Sequence, residues 1–287
     1  MQPQTLASEV SSLYTLPELA LRVNTLLDSP DASARELVEV IELDTGLAAT
    51  VLRLANSAMY GHGRVNSLPH AVATIGHQAL RGLVLAAAAV RVFRDIPAEF
   101  VNMDSFWENS ITCAVLAQLI GQRAHLPESE ALFLAGLLHG VGRLVFYARR
   151  PREYREVLQR VQDSDLAVES AETLVFGFNH AQLGAALLGQ WGLPRKLRQA
   201  VAQQLTPSSA FSREAAAVHL AVDMANHMAP CIRRPQEATV YSPGPSANTA
   251  LRSLDLRADD LADISLEALA SSLEIVEILR PGAGTIF

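Results

Sequence analysis

The chain has 287 residues, a formal net charge of −7 and an apolar content of 49%, with only 6% aromatics. That is ample material for a buried core, and the Ala- and Leu-rich make-up favours close-packed helices over a sheet built from Val, Tyr and Thr. The negative balance argues against a general nucleic-acid binder, which needs a basic face to displace counterions, and Cys113 and Cys231 form neither a disulfide framework nor a CxxC zinc site.

A reducing cytoplasm is the expected setting. The opening MQPQTLASEVSSLY has no basic stretch leading into an apolar one, so no signal peptide is expected. The most apolar run, Gly82 to Val90, sits between Arg81 and Arg91 and falls short of the roughly 20 residues of a membrane span.

In chain order, TLPELALRVNTLL places Pro17 at a helix start and Leu16, Leu19, Val23, Leu26 and Leu27 at three-to-four spacing. In the next segment Ser33 and Glu36 form a capping box ahead of the stripe Leu37, Val40 and Ile41. DTGLAATVLRLANSAMYG predicts a third helix closed by Gly61, and NSLPHAVATIGHQALRGLVLAAAAVRVF predicts two more with a break near Gly76. The polar, glycine-bearing stretch Asn56 to Ser67 reads as a connector or a contact surface. A looser segment then leads to SFWENSITCAVLAQLIGQRA, where Ser105 and Glu108 fit a second capping box and Cys113 is a small core residue. The basic run Arg149 to Arg155 reads as a solvated helix start. Gly192 and Pro194 mark the joint of two further helices. RRPQEATVYSPGPSANTA predicts a loop, and LADISLEALASSLEIVEIL a final helix. No internal repeat of fixed period occurs. The expected fold is all-α, a multi-helix bundle.

Metal-dependent hydrolysis in such a bundle needs imidazoles and carboxylates aimed at one point. His219, Asp223 and His227 follow at spacings of four and share a helix face. His139 ends an apolar helix and His180 begins another, so His139, His180, His219 and Asp223 are the candidate metal residues. Each also has a structural reading: His139 bonded to a carbonyl of its last turn, His180 in a first turn capped by Asn179, and His219 paired with Asp223. There is no GxSxG elbow, GxxxxGK[ST] phosphate loop or HExxH.

Several long, ordered motifs carry a resemblance. LPELALRVNTLL, ELVEVIELDTGLAATVLRLANSAMYG and NSLPHAVATIGHQALRGLVLA resemble the opening half of the HDOD domain, and FWENS, EALFLAGLLHGVGRLVF, FGFNHAQLGAALLGQWGLP and VHLAVDMAN its second half. The resemblance spans residues 16–228. It implies an all-α fold of two lobes, a helical one over 16–100 and a degenerate HD-like one over 101–228, followed by a loop and a packed helix over 229–287.

HD enzymes hold metal with a first histidine, a histidine–aspartate doublet and a later aspartate. Carried over here, the first histidine falls at Asn109 and the doublet at His139 and Gly140. The last aspartate falls at Val222, and Asp223 points about 100° away around the helix. His139 alone stands in place. The resemblance therefore implies a non-enzymatic signal-transduction module that needs no catalytic residue, cofactor or metal. It would act in the cytoplasm by binding signalling proteins or a small messenger. A separate reading of the residues is a cyclic-dinucleotide-binding module, with phosphates held by arginines such as Arg53, Arg64 and Arg81. No receiver, kinase or cyclase segment accompanies it, so output is expected through other chains. The alternative is a phosphohydrolase with a rebuilt HD-type site.

Overall fold

The computed structural model describes residues 2–11, 14, 16–29, 33–60, 64–93, 96, 99–206, 212–233 and 241–280. Their regular secondary structure is all helix, in the order α1 (Pro3–Ser11), α2 (Glu18–Asp28), α3 (Ala34–Ile41), α4 (Thr45–Ala55), α5 (Leu68–Val92), α6 (Met103–Arg123), α7 (Ser129–Leu138), α8 (Val141–Arg149), α9 (Pro151–Asp163), α10 (Val168–Phe176), α11 (His180–Gln190), α12 (Arg195–Gln203), α13 (Arg213–Arg233), α14 (Pro245–Leu254) and α15 (Asp260–Leu279).

Local chemistry sets the boundaries. The Ser33–Glu36 capping box forms as predicted. Asp44 caps α4 through the Leu47 N–H and also holds Arg91 at 3.0 Å, tying α4 to the end of α5. Gly76 takes φ 77° and ψ 171°, a backbone state open to glycine, and kinks α5 at the expected break. Three expectations shift. The cap of α6 is Asn102, whose side chain accepts from the Ser105 N–H, so Ser105 lies inside the helix. α4 ends at Ala55 with Asn56 as its C-cap, and Gly61 lies outside the described residues. Within the expected loop, Pro245 opens helix α14, because proline suits a first helical turn.

Helix α6 is the hub. It is buried nearly all round from Ser110 to Gly121, as a helix apolar on every side must be. α7, α13 and α15 pack on it. Gly136 makes the α6–α7 approach possible, since a Cβ there would lie 2.6 Å from the Cys113 carbonyl oxygen. α5 packs on α2, α3, α4 and α7, and α1 packs on α11. One apolar cluster runs from Leu6 to Ile278. The stretches Leu68–Val92 and Ser129–Arg149 are long and apolar enough to cross a bilayer, but 67% and 78% of their apolar windows are buried inside this core. The basic run is mostly exposed around the start of α9, with Arg150 paired to Glu9 at 2.8 Å and Arg155 to Glu99 at 2.7 Å.

Candidate functional site

His139 is the C-cap of α7, and Gly140 is the N-cap of α8. Gly140 has φ −98° and ψ −1°, which any residue can adopt. What its missing side chain leaves room for is Phe106. A Cβ at Gly140 would lie 3.2 and 3.4 Å from the Cε2 and Cζ of that ring, so aromatic carbon presses where a carboxylate would begin. Phe106 is held edge-on against Trp107, centroids 5.1 Å apart.

The three core histidines are each oriented through Nδ1. His139 Nδ1 donates to the Gly136 carbonyl at 2.7 Å, the bond expected of a histidine closing its own last turn. Burial drives its pKa down to about 4, with the nearby charge of Arg143 acting the same way, so the ring is neutral. His219 Nδ1 donates to the Gln204 carbonyl at 2.6 Å, and its buried Nε2 meets no hydrogen-bond partner among the described residues. Burial lowers the pKa of His219 as well. Gln204 clasps the two segments, because its side-chain amide donates to the His139 carbonyl at 2.9 Å.

His180 belongs to a different network. Its Nδ1 and its backbone N–H both reach Oε2 of Glu172, at 2.7 and 2.8 Å. The other carboxylate oxygen accepts from the Tyr154 hydroxyl at 3.0 Å. Burial pushes the Glu172 carboxyl up, but the His180 ring, through its hydrogen bond and the charge it can carry, the His180 backbone N–H and the charge of Arg143 outweigh it and hold the group below its usual value. Burial and Arg143 together lower the pKa of His180. The pair is therefore a carboxylate bonded to a neutral imidazole. Asn179 and Gln182 supply a full capping box for α11 beside it.

The remaining positions are occupied by other partners. Asn109 Nδ2 donates to Asn226 Oδ1 at 3.3 Å, and its own Oδ1 is buried without a partner among the described residues. Asp223 accepts the Tyr241 hydroxyl, so the expected His219–Asp223 hydrogen bond gives way to two separate ones. His227 packs its ring edge-on to Tyr241. Val222 packs half-buried against the core. Among the described residues no three His, Cys, Asp or Glu side chains gather closely enough to hold a metal ion. The donors present do not fit an HD-type metal.

Sequence reasoning missed Glu172, Tyr154, Gln204 and Tyr241. Spacing could not flag them, because each meets its partner through the tertiary fold. Of the arginines considered as phosphate ligands, Arg53 donates to the Ile278 carbonyl at 3.0 Å, Arg64 is exposed, and Arg81 is buried at the wall of a cleft. That cleft, about 290 Å³, lies where α2 and α5 meet α7 and α12, and Gln78, Glu128, Lys196 and Leu197 also line it. Lys196 and Glu128 pair across it at 3.7 Å.

The state of His139 has a measurable consequence. Its folded pKa lies below the 6.5 of a free imidazole, so the unfolded chain binds the proton first. Stability from this group is full above pH 6.5 and falls between about pH 6.5 and 4, by at most about 3 kcal/mol. Denaturant melts across that window should show the loss, and His139→Asn should flatten the part of the slope that belongs to this ring.

A family model described as the HDOD domain matches residues 13–207. An uncharacterised protein of Treponema pallidum (strain Nichols) is 26% identical over 192 residues, which take in 66% of this chain and 37% of that one. The chain thus spans well under half of that relative's length. The crystal structure of an HDOD domain protein of unknown function from Geobacter sulfurreducens superposes with a TM-score of 0.70 at 26% identity, covering 95% of this chain and 97% of the other. A Shewanella amazonensis SB2B protein, provisionally named a phosphohydrolase, shares the fold with a TM-score of 0.74 at 24% identity over 96% and 97% of the two chains.

Proposed function

The chain belongs to the HDOD domain family, and we propose that it is a non-enzymatic regulatory module that acts in the cytoplasm by binding a signalling protein or a small messenger. The observation that supports this is Gly140 itself, which supplies no carboxylate beside His139 and has the ring of Phe106 crowding the point where a side chain would begin. Without that carboxylate a divalent cation loses the charge that holds it. Asn109 engaged with Asn226 and Asp223 engaged with Tyr241 point the same way. A small messenger is assigned to the cleft at Arg81 because a buried arginine lines it.

One observation favours the phosphohydrolase reading. His139 and His219 donate Nδ1–H to backbone carbonyls, which is how metal-binding histidines are commonly oriented, with Nε2 left as the ligand atom. Elemental analysis of untagged protein purified without chelator separates the two. The expected result is iron, manganese and zinc far below one ion per chain, also after incubation with those ions. Asn109→His combined with Gly140→Asp should still not load, because the remaining carboxylate, Asp223, is engaged by the Tyr241 hydroxyl. Near-stoichiometric metal in the unaltered protein, lost in His219→Ala, would overturn the proposal.

A further inference from the structure

Helix α15 has two apolar faces. One is buried, through Leu261, Ile264, Ala268, Ile275 and Ile278, where the helix packs on α6 and α4. The other carries Leu266, Leu269 and Leu273, which are 74%, 36% and 53% exposed. Steps of three and four place these leucines on a single stripe. Burying such side chains stabilises a fold, and a helix that already has a full buried face draws nothing from leaving three in water.

The charge beside the stripe is of one sign. α15 carries Asp260, Asp263, Glu267, Glu274 and Glu277 and no Lys or Arg. Asp260 and Asp263 reach Arg123 only at 3.8 and 4.0 Å, and Glu274 accepts the Ala58 N–H at 2.8 Å. Asp263 stays 79% exposed despite its ion pair, and Glu267 is exposed as well.

We propose that this face docks a basic amphipathic helix of a partner protein. The leucines seat apolar side chains repeating at three-to-four spacing, and the acids meet lysines or arginines that flank them. A second copy of this chain is the poorer occupant, because its own α15 brings more acids and no basic residue to meet them. The proposal rests on the reading of the chain as a binding module and names the kind of partner.

The test is fluorescence anisotropy of the full chain with two labelled helical peptides of about five turns, one of leucine and lysine and one of leucine and glutamate in the same pattern. The leucine–lysine peptide should bind and the leucine–glutamate peptide should not. Leu266→Ser with Leu273→Ser should weaken binding about tenfold or more, with melting temperature unchanged because both side chains are largely exposed. Asp263→Lys with Glu267→Lys should weaken it too. Failure of the leucine–lysine peptide to bind, equal binding of both peptides, or undiminished binding by the serine variant would overturn the proposal. So would a concentration-dependent dimer, seen by sedimentation, that the serine variant abolishes. Metal content is measured separately, so a metal-loaded chain that still binds the peptide would sink only the non-enzymatic reading.

Discussion

Gly142→Ala should lower the melting temperature by about 10 °C or abolish soluble expression, the largest effect expected of any single methyl group in this chain. A Cβ at Gly142 would lie 2.0 Å from the His180 carbonyl oxygen and 2.7 Å from the Gly184 nitrogen. Both atoms are backbone, so no side chain can turn aside. The first turns of α8 and α11 would have to separate, undoing the packing of Val141, Leu144 and Leu183, all fully buried. Overpacking of that kind costs about 3 kcal/mol or more. Gly82→Ala is the control. Gly82 is also buried in a helix, but its nearest neighbour would be 3.9 Å away. There the methyl group fits, and the helical backbone gains about 0.5–1 kcal/mol. Thermal melts of the two variants should therefore move in opposite directions. Equal shifts would show that α8 and α11 are not in contact at Gly142.

Glu172→Ala should cost about 3–5 kcal/mol, measured by urea unfolding. The carboxylate is wholly buried and accepts three hydrogen bonds, from the Tyr154 hydroxyl, the His180 backbone N–H and the His180 ring. Alanine leaves three buried donors without an acceptor. Glu172→Gln should recover only part of the loss, since its amide turns a donor toward either Tyr154 or His180. Because the folded pKa of Glu172 lies below its usual value, its contribution is present above the ordinary carboxylate range and disappears as pH falls through the folded pKa. The gap between alanine and wild type should therefore narrow in strong acid. A constant gap at every pH would mean that the network is held by packing and not by the charge on Glu172.

Much of the fold was legible because helical signals are local. The Ser33–Glu36 box, the kink at Gly76, the Gly192–Pro194 joint and the Asn179 cap depend on residues within a turn of each other. The misread boundaries follow from competition between nearby capping groups. Asn102 and Ser105 both suit a cap, and the first available one ends up outside the helix. Pro245 reads as a loop residue until a helix is seen to start behind it.

The candidate site was legible only as absences in a motif. The chain carries glycine at 140 and asparagine at 109, and the resemblance alone identified those positions as a lost doublet and a lost first histidine. Why glycine stands there is a tertiary matter, since Phe106 is far away in the chain and reaches Gly140 only because α6 and α7 pack together. The same holds for each histidine. His139 bonds three residues back, a partner that spacing could suggest. His219 bonds a carbonyl on the turn after α12, and His180 a carboxylate on α10, partners that no periodicity encodes.

By itself the sequence determined the all-helical class, the break at Gly76 and the family, because periodicity, caps and ordered motifs are written in neighbouring residues. Only the tertiary structure decided which buried polar groups satisfy one another and which leucines of α15 remain in water. Those outcomes depend on helix axes meeting at particular distances, and a chain read one turn at a time does not contain them.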